Sequence, residues 1–341
     1  MALRAILSFI VATVMLNHPT TAQVTNVNPD SDQPVLTNIG ALPPEFNASQ
    51  ARGINTQGHV VGSLILREEA NHAFLYRNGE MMDLGVLPSG TFSDAYAVNE
   101  RDQVVGTALF SFPIPPGGRF FHAFIWDKGV MTDIGLLRPG GHSHAYAINN
   151  RGQVVGDAGD HAFLYYQGVM TDLGTLGGST SKAVAINEAG AIVGNSTLAD
   201  GSKHAFLYWQ GVMTDLGTLG GANSIASSIN NLGQIVGTSQ LADGTSHGFL
   251  YQSGQMIDLT TLPNGQDISS AIWINDVGQI LCDGFVYESG RVVSFSAPLP
   301  PDNLIFVFAT QINNRGQIPG WILPIKQAGV LNINELAESQ Q

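Results

Sequence analysis

The sequence predicts an all-β fold, a β-propeller of about seven four-stranded antiparallel blades. First, the motif Ser-x-Ala-x-x-Ile-Asn, followed by x-x-Gly-Gln-Val-Val-Gly, recurs in variants along the 341 residues. Second, the asparagines of the motif are 38 to 50 residues apart, a period typical of propeller blades or solenoid units. Third, short turns join consecutive strands, which favours an antiparallel meander over a parallel β-helix. The asparagines are Asn55, Asn99, Asn149, Asn187, Asn230, Asn275 and Asn313.

The first strand of each unit combines small and β-branched residues. In the third unit, Ser143 and Ala145 are two positions apart, and Ile148 precedes the asparagine. Because side chains alternate along a strand, the period of two places Ser143 and Ala145 on one face and Ile148 on the other. We expect this strand to lie innermost, with the alanine face of one blade against the isoleucine face of the next.

Three further strands complete the predicted unit. Asparagine caps a tight turn that glycine, or Asp102 in the second unit, completes with a positive φ. Gln-Val-Val-Gly is then the second strand, His-Ala-Phe-Leu-Tyr the third and Val-Met-Thr-Asp-Leu-Gly the fourth. Residues 35–40 and residues 330–334 both resemble a fourth strand. If the ring closes by sharing a terminal strand, one of these two segments is redundant, and the sequence does not say which.

Composition and the amino terminus indicate export. A charged start, an apolar stretch over residues 5–16 and Thr20-Thr21-Ala22 predict a signal peptide at residues 1–22, followed by a leader at 23–34 and one propeller domain at 35–341. The net charge of −13 argues against nucleic acid and anionic membranes as partners. We expect a monomer without a transmembrane segment, either extracellular or periplasmic.

The recurring motifs resemble a known family. The His-Ala-Phe strand, the Thr-Asp-Leu-Gly-Thr-Leu-Gly-Gly loop and the Ala-x-x-Ile-Asn-x-x-Gly-Gln-Val-Val-Gly hairpin are similar to the HAF-type extracellular repeats of bacterial proteins. The resemblance covers about residues 35–334 and is weakest in the last two units, where Asp283 replaces histidine and Cys282 replaces glycine. It implies an exported repeat protein and brings no catalytic residues.

Histidines and aspartates at repeated positions raise the question of metal binding. The recurring histidines lie on the third strand, about 10 Å farther from the axis than the first at ~4.8 Å per strand, so they diverge and are expected to be structural. His142 and His144 come at the inner strand of the third unit, from which they could point toward the channel mouth, but they have no identified third ligand. The aspartates are expected to cap loop amides, with calcium binding as the alternative. The recurring residues are His72, His122, His161, His204 and His247, with Asp83, Asp133, Asp172, Asp215 and Asp258.

Two further patterns point to no chemistry. Residues 244–248 match Gly-x-Ser-x-Gly, but the register of the repeat places them in a loop that enters a strand, whereas a nucleophile elbow needs a strand-to-helix turn. Cys282, the one cysteine of the chain, occupies a small-residue position of a second strand, so an inert buried thiol is expected and an intramolecular disulfide is impossible. The sequence therefore assigns no catalytic residue, metal site or cofactor.

Function is expected where the repeats differ. The long insertion between the second and third strands of the second unit carries Phe110, Phe112, Phe120 and Phe121, and exposed aromatic residues are good binding anchors. The same phenylalanines could instead pack onto the propeller as a lid. The candidate binding residues are Phe110, Phe112, Phe120, Phe121, His142 and His144, and residues 298–304 form a second irregular loop on the same predicted face.

Two function classes remain open at this stage. The first is a secreted, non-catalytic propeller that binds a carbohydrate, a peptide or a protein through its loop face. The alternative is a secreted hydrolase or lyase with an active site on that face, which the fold alone does not exclude. A convergent set of carboxylates with His142 or His144 around the channel would favour the enzyme.

Overall fold

The structure is a computed structural model and describes residues 35–39, 42, 45–66, 71–111, 119–266, 268–295, 305–307, 309–323 and 325–333. Within these ranges the chain is all-β, with seven four-stranded antiparallel sheets and one short 3₁₀ turn, Leu259–Thr261. No helix of the described part has the length and apolar character needed to cross a membrane. The predicted signal peptide and leader lie outside the described residues.

Six blades are continuous in sequence, and each runs from its innermost to its outermost strand. Blade I comprises β2 (Ala48–Ile54), β3 (Val60–Ile65), β4 (Asn71–Arg77) and β5 (Glu80–Asp83); blade II comprises β6 (Ser93–Val98), β7 (Val104–Ser111), β8 (Arg119–Asp127) and β9 (Val130–Asp133). Blade III comprises β10 (Ser143–Ile148), β11 (Val154–Ala158), β12 (His161–Tyr166) and β13 (Val169–Asp172); blade IV comprises β14 (Ser181–Ile186), β15 (Ile192–Thr197), β16 (Lys203–Trp209) and β17 (Val212–Asp215). Blade V comprises β18 (Ser224–Ile229), β19 (Ile235–Gln240), β20 (Ser246–Gln252) and β21 (Gln255–Asp258); blade VI comprises β22 (Ala271–Ile274), β23 (Ile280–Cys282), β24 (Phe285–Glu288) and β25 (Arg291–Ser294).

Blade VII joins the two ends of the described chain. Its strands are β26 (Ile305–Val307), β27 (Gln317–Leu323), β28 (Gln327–Asn332) and, outermost, β1 (Val35–Asn38). β28 is therefore the third strand, whereas the sequence suggested a fourth strand at residues 330–334. Residues 35–38 supply the fourth strand, so neither terminal segment is redundant. The prediction of redundancy was wrong because the third strand follows β27 after a tight turn and has lost the His-Ala-Phe letters.

A β-bulge changes the face assignment of the inner strands. In blade III the register shifts between Ala145 and Ala147, which pair with the consecutive residues Gly156 and Val155 of β11. The extra residue returns Ile148 to the face of Ala145, and both side chains pack in one cluster with Ala97 of blade II. The prediction that Ala145 and Ile148 lie on opposite faces of the strand was therefore wrong, because the alternation of side chains is interrupted at a bulge.

In blades I to V, a serine on the innermost strand forms hydrogen bonds to the preceding blade of the ring. Ser143 Oγ accepts a hydrogen bond from the backbone N–H of Ala123 at 2.9 Å and donates to the carbonyl of Gly135 at 2.7 Å. Ser93, Ser181 and Ser224 make the same two contacts in blades II, IV and V, and Ser49 of blade I accepts from Ala328 N of blade VII. The fully buried phenylalanine of each His-Ala-Phe strand fills the core beside these contacts.

The last glycine of the Gln-Val-Val-Gly motif, inside the second strand, is required by close packing. A Cβ on Gly194 would lie 1.9 Å from the carbonyl oxygen of Lys182 on the neighbouring inner strand, closer than any real contact. Blade VI carries Cys282 at this position, and its inner strand begins later, at Ala271. Cys282 is 1% exposed, and burial raises the pKa of its thiol to about 12. The expected inert thiol is confirmed.

Candidate functional site

The recurring histidines make the same structural contact in five blades. His161 Nδ1 lies 2.8 Å from Asp172 of the same blade, eleven residues later, and the pairs of the other four blades are 2.6 to 2.9 Å apart. A structural role was predicted and is confirmed, because each histidine contacts an aspartate on the fourth strand of its own blade. Blade VII retains the geometry with different residues, since Asn38 Nδ2 donates to Gln327 Oε1.

The paired aspartates also cap loop amides, as the sequence predicted. Asp172 Oδ1 accepts the N–H of Gly174 at 2.8 Å, and four other units repeat this Asx turn. One carboxylate thereby orients its histidine and fixes the loop that leads to the next blade. Among the described residues, no group of three or more His, Cys, Asp or Glu side chains could hold a metal ion.

The seven repeat asparagines form a closed ring at one end of the propeller, which we call the Asn face. Each side-chain amide donates to the backbone carbonyl of the next asparagine at 2.9 to 3.2 Å, and Asn313 closes the circle by donating to Asn55. All seven side chains are buried. The Oδ1 atom of each, as at Asn149, caps the turn of its own hairpin.

A second tier of hydrogen bonds surrounds the channel mouth at the Asn face. In six units the residue after the asparagine donates its N–H to the side chain of its counterpart in the next blade, as Asn150 does to Glu188 and Glu188 does to Asn231. The carboxylates of Glu100, Glu188 and Asp276 belong to this tier. Because they accept backbone hydrogen bonds within the ring, these carboxylates act as blade connectors.

The opposite end carries the hairpins between second and third strands and the connections to the next blade; we call it the loop face. There the structure brings together Phe120, Phe121, His142 and His144. The ring centroids of Phe120 and Phe121 lie 5.7 and 5.9 Å from that of His142, and Phe121 lies 6.1 Å from His144. Phe92 packs edge-on against Phe121 at 5.8 Å. Together Phe92, Phe120, Phe121, His142 and His144 form what we call the aromatic surface.

Each of the two histidines of the aromatic surface uses its Nδ1 atom in a contact with a neighbouring strand. His142 Nδ1 accepts the backbone N–H of Phe121 at 3.1 Å, so its neutral ring carries the proton on Nε2. His144 Nδ1 lies 3.1 Å from the hydroxyl of Thr107. Burial, assisted by the charge of Lys182, lowers the pKa of His144, although Asp157 opposes the shift. These surroundings favour the neutral form of His144.

The remaining members of the predicted site are only partly described. Phe110 lies in β7, where its backbone pairs with Phe120 of β8. Phe112 lies outside the described residues, as do residues 296–304 with the second irregular loop. The predicted site thus contains four residues that the fold places together. Whether they bind a ligand stays a prediction.

A row of stacked side chains continues from the aromatic surface along the inner strands. Tyr96 and Tyr146 have ring centroids 5.7 Å apart, with Arg52 over the first ring and Lys182 over the second. Burial, with the nearby Asp94 carboxylate, raises the pKa of Tyr96 to about 12. The row crosses blades I to IV and was missed at the sequence level. The sequence does contain an indication of this row. On the first strand of each unit, the residues that alternate with serine and alanine differ from one unit to the next.

The carboxylates beside this row are both paired. Asp94 is 4% exposed and accepts hydrogen bonds from Ser63 and from Arg52, the latter at 3.1 Å. Burial raises the pKa of Asp94, against the opposing effect of Arg52. Asp157 lies 3.9 Å from Lys182 and hydrogen-bonds Tyr146. Both acids hold side chains of adjacent blades together.

A cleft of about 190 Å³ opens on the loop face of blade III. The loop that enters the blade forms one wall with Arg138, Gly140 and Gly141, and the short β11–β12 hairpin forms the other with Gly159 and Asp160. His161 and Asp172 also line it. None of its lining residues is serine, threonine or cysteine, so the histidine–aspartate pair has no neighbouring nucleophile there.

The Gly-x-Ser-x-Gly pattern is structural, as expected. Ser246 begins β20 and is exposed, and the chain continues as a strand. A nucleophile elbow requires a helix after the serine. Ser246 therefore lacks the local geometry of an activated nucleophile.

No family model and no curated protein matches the chain. Among solved structures, it is similar to the β-propeller domain of the Trilobed protease from Pyrococcus furiosus, with a TM-score of 0.52, 8% identity and coverage of 86% of this chain and 99% of that chain. YCF48 bound to D1 peptide has a TM-score of 0.50 at 9% identity, covering 93% and 99%. TolB from Acinetobacter baumannii has a TM-score of 0.41 at 13% identity, covering 86% of this chain and 66% of TolB, just under two thirds of its length. At these identities the similarity concerns the fold alone.

Proposed function

We propose that this chain is a secreted, non-catalytic β-propeller that binds an extracellular carbohydrate, peptide or protein on its loop face. The observation that carries the proposal is the aromatic surface, which interrupts an otherwise regular repeat. Phe120 and Phe121 are half-buried and His142 is exposed, so a ligand can reach the rings while the backbone beneath them is held by strand pairing. Rigid aromatic side chains lose little entropy on binding and are frequent anchors of interfaces.

The support for secretion and for HAF-type membership comes from the sequence. Residues 1–22 have the composition of a signal peptide, and the His-Ala-Phe strand recurs in fixed order with two other motifs. We include both in the proposal. Detection of the chain in the periplasm or culture medium of the producing cells, and loss of that export when residues 1–22 are removed, tests the first.

The enzyme alternative retains one supporting observation. The His161–Asp172 pair lines a cleft, and histidine held by a carboxylate is a common arrangement in general base catalysis. The same pair recurs in four other blades, where it holds strands together, and this favours a structural role. Turnover of ester, lactone or glycoside substrates that disappears in His161→Ala, but persists in His204→Ala, would establish the enzyme.

A binding screen tests the proposal directly. Purified residues 23–341 are screened against glycans and secreted proteins, with and without calcium, and each ligand is measured again with Phe120→Ala and Phe121→Ala. We expect at least a tenfold loss of affinity, about 1.4 kcal/mol, for either variant. Trp209→Ala is the matched control, because Trp209 is 40% exposed at the end of β16 on the Asn face. Ligands that bind both phenylalanine variants normally would remove the aromatic surface from the proposal.

A further inference from the structure

On the loop face, blades II and III differ in the length of the hairpin between their second and third strands. In blade II the β7–β8 hairpin is paired as far as Ser111 and Arg119, whereas in blade III only Gly159 and Asp160 separate β11 from β12. The longer hairpin carries Phe120 and Phe121, and the short one forms a wall of the cleft. The two departures from the repeat are therefore adjacent on the ring.

The cleft exists because the short hairpin leaves space that other blades fill. In blade IV a Cβ on Gly178 would lie 2.3 Å from Thr197, and in blade V a Cβ on Gly221 would lie 2.5 Å from Leu241. At the corresponding second glycine of blade III, the nearest atom to an added Cβ on Gly141 is 3.7 Å away. The cleft is a specific feature of blade III and not a general consequence of the fold.

The polar groups of the cleft suit hydroxyl groups better than a charged ligand. Arg138 supplies donors and Asp160 supplies acceptors, one charge of each sign. The Asp172 oxygens are occupied by His161 and by the N–H of Gly174. A ligand with one net charge would be attracted by one exposed side chain and repelled by the other. A hydroxyl donates and accepts, so a neutral ligand with several hydroxyls complements both.

The aromatic surface and the cleft share one loop. Residues 137–142 present glycines to the cleft, and His142 extends from the same loop to Phe120 and Phe121. Gly159 N donates to the carbonyl of His142 at 2.7 Å, which fixes the hairpin of the cleft to the base of the aromatic surface. One ligand can therefore occupy both, with an apolar face on the rings and polar edges in the cleft.

We propose that these two subsites bind a neutral oligosaccharide, an inference that rests on the binding function proposed above. The C–H face of one sugar ring packs on Phe120 and His142, because apolar area is buried there against aromatic rings. The hydroxyls of the next sugar unit pair with Arg138, Asp160 and the glycine backbone of the cleft. A cleft of about 190 Å³ is smaller than the 300–1,000 Å³ of usual small-molecule pockets, which fits a single ring unit.

The test compares neutral tetrasaccharides of glucose, mannose, galactose and N-acetylglucosamine with their monosaccharides and with a random peptide pool. We expect at least one tetrasaccharide to bind at least tenfold more tightly than its monosaccharide. Phe120→Ala and Gly141→Leu should each weaken the tetrasaccharide at least tenfold, the second by filling the cleft. Gly141 lacks a positive φ and tolerates a Cβ, and Arg138→Ala gives a second cleft variant if Gly141→Leu melts early. Arg101→Ala, an exposed arginine on the Asn face, should change affinity less than twofold.

The outcomes separate the two proposals. Tetrasaccharide binding that neither cleft variant weakens would overturn the two-subsite inference. Peptides that bind through Phe120 while no sugar binds would overturn the inference and keep the binding function. If no probe loses affinity in Phe120→Ala, the aromatic surface fails as a site and both proposals fall.

Discussion

The two ends of the propeller follow different rules. At the Asn face, seven asparagines repeat one hydrogen bond around a closed ring, although consecutive asparagines are 38 to 50 residues apart in sequence. At the loop face, adjacent blades differ in hairpin length, and the aromatic surface and the cleft have no counterpart in blades IV and V. Ring closure constrains the first end in every unit, whereas the second end is free to specialise.

Substitution of a ring asparagine is expected to have the largest effect. Asn187→Ala removes two buried hydrogen bonds, the one to the Asn230 carbonyl and the one from the N–H of Ala191, and a part-buried one from the N–H of Gly190. The free energy of unfolding should fall by about 3 kcal/mol, because each buried group left unpaired costs ~1–3 kcal/mol. Asn231→Ala, an exposed neighbour, is the control and should cost under ~1 kcal/mol. Equal effects in chemical denaturation would show that the ring does not stabilise the Asn face more than its surroundings.

Overpacking between blades is expected to have the second-largest effect on stability. Ala183→Leu adds three carbons where Ala183 is fully buried against Phe206 and Ile192, and should destabilise by about 2 kcal/mol. Ala145→Leu, at the same position of blade III, should behave alike, and Ala199→Leu at an exposed turn should be near neutral. Thermal melting measures all three. An unchanged midpoint for both inner variants would mean that the blade interface is loose.

The loop face should tolerate changes that the Asn face does not. Replacing residues 112–118 with a short Gly-Ser turn should leave the free energy of unfolding within ~0.5 kcal/mol, because the paired strands β7 and β8 remain. Because the replacement removes the candidate binding residue Phe112, ligand affinity should nevertheless fall at least tenfold, about 1.4 kcal/mol. Lost stability with retained binding would assign these residues to the core and place the ligand elsewhere.

The smallest predicted effect concerns pH. Burial favours the neutral form of Asp102, but hydrogen bonds from His59 and Arg77 outweigh it and lower the pKa of this carboxyl below its usual 3.8. The ionised group therefore stabilises the fold above pH 3.8, and this contribution disappears as the pH falls through the lowered pKa. Asp102→Asn tolerates the φ of 60° and should lose roughly 0.2–1 kcal/mol at pH 7 and less at pH 3 in urea unfolding. The same loss at both pH values would contradict the assignment.

Much of the site geometry had a signal in the sequence. In five blades the histidine and its aspartate are eleven residues apart, while the spacing of the asparagines varies. A constant separation across a two-residue hairpin fixes the strand register, and the pair could have been predicted from it. The cleft was harder to predict from the sequence. The short β11–β12 hairpin is recognised only when the units are aligned, and whether it leaves a cleft depends on the loop that enters blade III.

The sequence alone determined the class of fold, the blade number, the tight turns and the buried character of Cys282, because these follow from local periodicity and turn chemistry. Only the tertiary structure decided how the ring closes, which face Ile148 occupies and how Phe121 reaches His142. A bulge shifts every later side chain of its strand to the opposite face, and no alternation rule detects it. Closure and the aromatic surface join residues from different blades, and their distances depend on packing that sequence spacing does not encode.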